Sequence, residues 1–379
     1  MLVLGFMSGT SLDGVDAAMV ETDGERIHAF GPAYLAPFTD AERATIERGT
    51  ADALAWNGFG DAPPSFEGVA AAVLDAHLRA AERVIAAAER RPDLIGFHGQ
   101  TVLHRPERQL SVQLGDVQAL ADALHTPVVG QMRQDDLAAG GQGAPLVPAY
   151  HAALADRLGL AGPVAFLNLG GVANLTFIGA DGGLVAFDTG PANGLIDQVV
   201  QAHGAGRYDD GGRFAAAGRV EVTVLAELIS HDYFRAQGAK SLDRYDFPLD
   251  WTMACSLEDA AATLTAFTAD SVALAASSLP AVPKLWGCHN PVLLQALRDR
   301  LGVCETADAL GLRSDFIEAE AMAFLAVRSQ RGLPLTYPGT TGVAAPLSGG
   351  TLWRPRISSA EDGDQSNTGT LQFRDYVVI

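Results

Sequence analysis

Short apolar runs broken by small or polar residues open the chain, and they read as strands across Met1–Val20 and His28–Leu35. Asp40–Trp56 has helical spacing, and Gly68–Arg91 carries the Ala/Leu/Arg/Glu pattern of a long amphipathic helix whose apolar stripe would pack on a sheet. The pattern then predicts a strand at Leu94–Gly99 ending in the turn HGQT and a hairpin over Val102–Gln113. A short helix at Asp116–His125, a strand at Pro127–Gly130 and a Gly/Ala-rich connection over Gln134–Pro148 into another helix follow.

A boundary falls near Gly159–Pro163, which sets domains at 1–160 and 161–379. In the second, PVAFLNLGGVANLTFIG reads as an apolar strand, a Gly170-Gly171 turn and another apolar strand, so both halves begin with a strand-turn-strand unit. The pattern continues through Leu184–Gly194, with helices expected at Val222–Ala236, Ser256–Ser277, Pro291–Leu301 and Phe316–Arg331 and a strand at Lys284–Gly287. The polar run Ser358–Thr370 reads as a loop, and the final segment, Leu371–Ile379, is a candidate to return to the first domain as an edge strand. Alternation of strands and long helices predicts an α/β fold.

Composition narrows the class. The 379 residues can bury a large core, and 45 acidic against 26 basic residues give a formal charge of −19, which repels nucleic acid and anionic membrane surfaces. No uninterrupted apolar run approaches the roughly 20 residues that span a bilayer. Cys255, Cys288 and Cys304 are odd in number and widely spaced, so no disulfide framework is expected and a reducing cytoplasm suits the chain.

The chemistry concentrates in a few segments. GFMSGTSLDGVDAA, Gly5–Ala18, combines glycines that permit close backbone approach with the hydroxyls of Ser8, Thr10 and Ser11 and the carboxylates of Asp13 and Asp16, a set that suits phosphate and hydrated magnesium and equally an ordinary hairpin turn. It is neither GxxxxGK[ST] nor GxGxxG, so a nucleotide site here belongs to another architecture. FDTGPANGLIDQ places Asp188 at the end of an apolar strand, where it can act as a general base or cap the next helix. His98, Gln100, His104, Arg105 and Arg133 are candidate donors to sugar hydroxyls, carboxylate or phosphate, with structural hydrogen bonding as the alternative; Asp135 and Asp136 read as a helix start. Of Glu318 and Glu320, two apart on one helix, at most one reaches a site.

Taken together, GFMSGTSLDGVDAA, GFHGQTVLHRP, QLGD, NLGGVANLT, FDTGPAN, IEAEAMAFLA and LPLTYPGTTG closely resemble the anhydro-N-acetylmuramic acid kinases, from Leu2 to about Pro346. The resemblance implies the sugar-kinase, Hsp70 and actin fold: two actin-like α/β domains with duplicated ribonuclease H-like cores around a nucleotide cleft. It implies ATP and Mg2+, anhydro-N-acetylmuramic acid as substrate, and a cytoplasmic homodimer. The 1,6-anhydro ring would be opened by water at C1 and O6 phosphorylated. Carried over, Asp188 is the base and Glu318 a substrate-side carboxylate. Nucleotide binding falls to Gly9, Thr10, Ser11, Leu12, Asp13, Gly14, Val15 and Asp16, with Asp13 the metal residue, and further to Gly170, Gly171, Asn174, Gly287 and Asn290. One departure stands out: only Gly287 precedes Cys288, His289 and Asn290 where the family has a run of three glycines, so weakened or rearranged nucleotide contacts are expected there. A related kinase of a non-anhydro sugar and a ligand-binding member without turnover are the alternatives.

Overall fold

The computed structural model describes residues 1–160, 162–235, 247–279, 284–286, 290–302 and 304–356. In chain order the first elements are β1 (Leu2–Ser8), β2 (Gly14–Thr22), β3 (Ile27–Pro37), α1 (Asp40–Trp56), α2 (Ser65–Ala87), β4 (Leu94–Arg105) and β5 (Leu110–Leu114). They are followed by α3 (Val117–Leu124), β6 (Val128–Gly130), α4 (Gln134–Ala138) and α5 (Pro148–Arg157). Next come β7 (Val164–Leu169), β8 (Val172–Ile178), β9 (Leu184–Pro191), α6 (Asn193–Ala202), α7 (Arg213–Ala217), α8 (Val222–Ile229) and α9 (Leu257–Ser277). The chain closes with β10 (Lys284–Trp286), α10 (Pro291–Leu301), β11 (Cys304–Glu305), α11 (Ile317–Gln330), α12 (Pro338–Thr341) and β12 (Thr351–Trp353).

Two compact units form. One holds Met1–Ala153, Asp315–Tyr337 and the described residues from 343 on; the other holds Leu154–Ser314 and Pro338–Gly342. Division at residue 160 would have left α11 in the second domain. Instead α11 lies on β1, β2 and β4 of the first.

The two sheets repeat one plan. In the first, β1 pairs antiparallel with β2 and β2 with β3, while β4 adds to β1 in parallel and β6 to β4 in parallel. In the second, β7, β8 and β9 form the antiparallel meander, and β10 and β11 add in parallel beside β7. The first sheet is extended by β5 on β4 and by β12, antiparallel to β6. The turns at Gly9 and at Gly170-Gly171 therefore occupy equivalent places, each between the first two strands of its unit.

Two expectations change. HGQT is not a turn: β4 runs through it to Arg105, and Gly99 takes φ +75 at an irregularity where Ser8 pairs with Gln100, so a locally distorted strand looks like a turn in sequence. The helix expected over Val222–Ala236 stops at Ile229, before a separate 3-10 turn at Asp232–Arg235. By length and composition α9 passes as a membrane span, but 78% of that stretch is buried, and its apolarity serves the core of its unit. The expected strand Leu371–Ile379 lies outside the described residues.

One face of the first sheet buries Leu4, Phe6, Val15, Met19, Ile95 and Phe97 against α1 and α2. His77 of α2 is caught between Phe6 and Phe97, its ring centroid 5.1 and 4.9 Å from theirs, and burial pushes its pKa down to about 4. The other face meets α11 backbone to backbone. Gly5 and Gly96 are paired across β1 and β4, and a Cβ on them would stand 1.9 Å from the Ala319 carbonyl oxygen and 2.1 Å from that of Met322. No side chain can occupy either position without lifting the helix.

Gly96→Ala is accordingly expected to destabilise the protein by about 1–3 kcal/mol in urea unfolding. Gly68→Ala, on the exposed side of α2 with its nearest neighbour atom 3.9 Å away, is expected to stabilise by about 0.5–1 kcal/mol. Equal effects would refute the close-contact argument.

Candidate functional site

In the first unit the turn between β1 and β2 is anchored through its carbonyls. Gly9 O accepts from Leu12 N (3.3 Å) and from Gln100 Nε2 (3.3 Å), Asp13 O accepts from Phe38 N (3.1 Å), and Leu12 O accepts from Arg43. Leu12 takes φ 57, which reverses the chain. Among the described residues, the amides of Thr10, Ser11 and Asp13 and the hydroxyls of Thr10 and Ser11 make no hydrogen bond. The carbonyls of Gly9, Leu12 and Asp13 are thus engaged within the protein, while the amides of Thr10, Ser11 and Asp13 stay available to an anion. Gly14 and Val15 are buried in β2, Gly14 because a Cβ there would stand 2.3 Å from Ala36 O. They carry the turn into β2.

Asp16 follows on β2, paired with Met7 and Leu35. The approach of α11 brings Glu318 of its first turn near Asp16. Burial first, then the charges of Glu318, Asp315 and Asp13, push the Asp16 carboxyl up to about 7. Glu320, two residues after Glu318, is buried and accepts a 2.6 Å hydrogen bond from the Tyr150 hydroxyl. The two glutamates part as the spacing requires: Glu318 works toward Asp16, Glu320 into the core.

The HGQT histidine has a structural task. His98 Nδ1 donates to Gly99 O (2.8 Å), and Nε2 accepts from Arg133 Nη2 (2.9 Å) and Gln113 Nε2 (2.9 Å); burial and the Arg133 charge push its pKa down to about 3. Arg133 also donates to Gly143 O (3.0 Å), so its fork fixes the α4 connection to β4. Asp135 and Asp136 lie in the first turn of α4, accepting from Gly350 N (3.0 Å) and Gly143 N (2.6 Å). Among the described residues, no three or more His, Cys, Asp or Glu side chains form a group that could hold a metal ion.

In the second unit the Gly170-Gly171 turn satisfies the start of α6: Asn193 N donates to Gly170 O (3.0 Å), and Ala192 N and Gly194 N donate to Gly171 O (3.1 and 3.2 Å). Contact is close enough that a Cβ on Gly194 would stand 2.8 Å from Gly171 O. Asp188 lies on β9, which does not end there but continues to Pro191. Its register shifts: Ala173 pairs with Gly190 and Asn174 with Asp188, leaving Thr189 as an extra residue in β9. Such a bulge bends the strand and re-aims the side chain beside it. Asn174 is paired in turn with Asn168, so Asn168, Asn174 and half-buried Asp188 form a polar row across three strands.

The bulge residue Thr189 and its supports were missed in the sequence, as was Asn168. Thr189 Oγ1 donates to Ala173 O (3.3 Å), Thr268 Oγ1 to Pro191 O (3.1 Å), and Tyr233 to the Asp188 carbonyl (2.5 Å). Asn168 had a signal, two residues before Gly170-Gly171; Tyr233, 45 positions from Asp188, had none. Asn290 caps α10, accepting from Val292 N (3.0 Å) and Leu293 N (3.2 Å), while Gly287 and the shortened Gly287–His289 stretch lie outside the described residues.

A strand plan used twice, with a donor-rich turn in the first unit and a carboxylate beside a bulge in the second, defines the class: this is the sugar-kinase, Hsp70 and actin superfamily fold. The model of the family "Anhydro-N-acetylmuramic acid kinase" matches residues 1–355. The chain is 49% identical over 368 residues to the anhydro-N-acetylmuramic acid kinase of Phenylobacterium zucineum, covering 94% of this chain and 100% of that protein. It is 50% identical over 365 residues to that of Caulobacter vibrioides (93% and 98% covered) and 46% over 365 residues to that of Rhodopseudomonas palustris strain BisB18 (94% and 100%). The chain belongs to the anhydro-N-acetylmuramic acid kinase family.

The Asp16 shift has a measurable sign. Its folded pKa of about 7 stands above the ordinary 3.8, so its contribution to stability is fully present below pH 3.8 and is lost as pH rises through about 7. In ligand-free protein, neutral Asp16→Asn is expected to gain melting temperature relative to the parent as pH is raised from 4 to 7.5. A difference that does not vary with pH would remove the coupling.

Proposed function

We infer that this chain is an ATP- and magnesium-dependent kinase that opens the 1,6-anhydro ring of anhydro-N-acetylmuramic acid and phosphorylates O6, giving N-acetylmuramic acid 6-phosphate and ADP in cell-wall recycling. Near-full-length identity of about half to kinases of that name supports the reaction. The residue roles rest on one observation above all: Asp188 sits beside a bulge whose backbone is pinned by hydroxyls. We assign it as the base that takes a proton from water as the water oxygen attacks C1. The C1–O6 bond breaks, O6 carries its electron pair to the γ-phosphorus of ATP, and the bond from that phosphorus to the β–γ bridging oxygen breaks to release ADP. Glu318 is assigned to the substrate side.

The donor face of the Gly9–Asp13 turn is assigned to phosphoryl oxygens, and Gly170, Gly171 and Asn174 to nucleotide binding in the second unit. The residues suit Mg2+: the carboxylates of Asp13, Asp315 and Glu318 place negative charge around Asp16 that a hard dication neutralises. Asp13 would hold it through water, and when bound it offsets charge on the phosphoryl oxygens. A homodimer in a reducing cytoplasm completes the reading; Cys255 and Cys304 are free thiols.

Asp188→Asn is expected to lower turnover at least about 100-fold with magnesium-ATP affinity nearly intact. Near-normal turnover would take the base role from Asp188. Asp13→Ala is expected to weaken magnesium-ATP binding in calorimetry, and unchanged affinity would take the metal role from Asp13.

A further inference from the structure

We propose that Tyr233 is a positioning residue for Asp188, holding the bulged backbone that aims its carboxylate. The proposal rests on the base role given to Asp188 above. At a bulge the ladder is locally disrupted, so main-chain groups there need partners from outside the sheet. The Tyr233 hydroxyl supplies one, donating to the Asp188 carbonyl at 2.5 Å.

The donor is held firmly. Tyr233 stands edge-on to Phe234, centroids 5.3 Å apart, and Phe234 packs on Phe267 of α9 at 5.7 Å and on Phe247 at 5.9 Å. These rings fix the height of the 3-10 turn Asp232–Arg235 over the strand. Beyond the bulge β9 has no slack. A Cβ on Gly190 would meet Ser271 Oγ at 2.6 Å, and Thr268 of the same helix holds Pro191 O. The carbonyl of Asp188 is thus fixed by Tyr233 on one side and by the α9 contacts two and three residues later on the other. A base must meet its proton at hydrogen-bond distance, and displacement of about 1 Å is enough to cost up to about 100-fold in rate. Losing the hydroxyl leaves the carboxyl in place chemically but removes one restraint on its main chain.

Tyr233→Phe keeps the ring and removes one hydroxyl. Its kcat is expected to fall about 10-fold, with KM for ATP and for the anhydro sugar within about twofold of the parent. In an Asp188→Asn background the same change is expected to alter residual turnover less than twofold, because a positioning residue has nothing left to position. An unchanged kcat in the single variant overturns the proposal. So does an equal fold-loss in both backgrounds, which marks general structural support, and so does loss of a cooperative melt, which assigns the hydroxyl to stability. Normal turnover by Asp188→Asn alone instead refutes the base reading, so the two failures are distinguishable.

Discussion

Backbone contact between α11 and the glycine pair Gly5–Gly96 is the constraint from which the first unit is built. Side chains usually stand between a helix and the sheet it covers. Here two paired glycines remove them, and the helix carbonyls of Ala319 and Met322 come down to where Cβ atoms would stand. The first turn of α11 carries Glu318, and this approach brings it into electrostatic range of Asp16 on β2. Burial first and then the neighbouring acids lift the Asp16 carboxyl, and the close approach allowed by the glycines adds Glu318 to those acids. Buried Glu320, bonded to Tyr150, and Arg328, which donates to Gly24 O (2.8 Å) and Tyr337 Oη (2.8 Å), fix the rest of the helix.

The second unit solves a similar problem differently. A carboxylate on a regular strand points wherever the pleat sends it, and an inserted residue changes that direction. Thr189 is the insertion, and hydroxyls from Thr189 itself, Thr268 and Tyr233 absorb the polar groups around it. The turn at Gly170-Gly171 uses its carbonyls to receive the start of α6, just as the Gly9 turn uses its carbonyls to receive Leu12, Gln100 and Arg43. In both, glycine carbonyls of the turn are tied down internally.

Much of this was legible because local chemistry specified it. Thr39 and Glu42 form a capping box at the start of α1, Asn57 ends it in the left-handed region, and Asp116 and Asn290 cap α3 and α10, so those helices fall where their sequences place them. Segments failed where tertiary context decides. Gly99 reads as a turn residue, yet its positive φ serves a distortion inside a continuous strand. The amphipathic pattern of α11 says nothing about which sheet it covers; that depends on Gly5 and Gly96, more than 200 positions away. Asp188 was found by its motif, whereas Tyr233 was invisible because its contribution is a single hydroxyl reaching a main-chain oxygen across a fold.

In the proposed reaction, water opens the anhydro ring while O6 takes the phosphoryl group. Mass spectrometry of products formed from anhydro-N-acetylmuramic acid and magnesium-ATP in oxygen-18 water tests it most directly, with preformed product as the control for exchange at C1. The expected result is a ring-opened sugar phosphate carrying the heavy oxygen at C1 from the first turnovers, faster than label enters the control. A phosphorylated sugar with its anhydro ring intact, or a ring-opened phosphate labelled no faster than the control, would contradict the account.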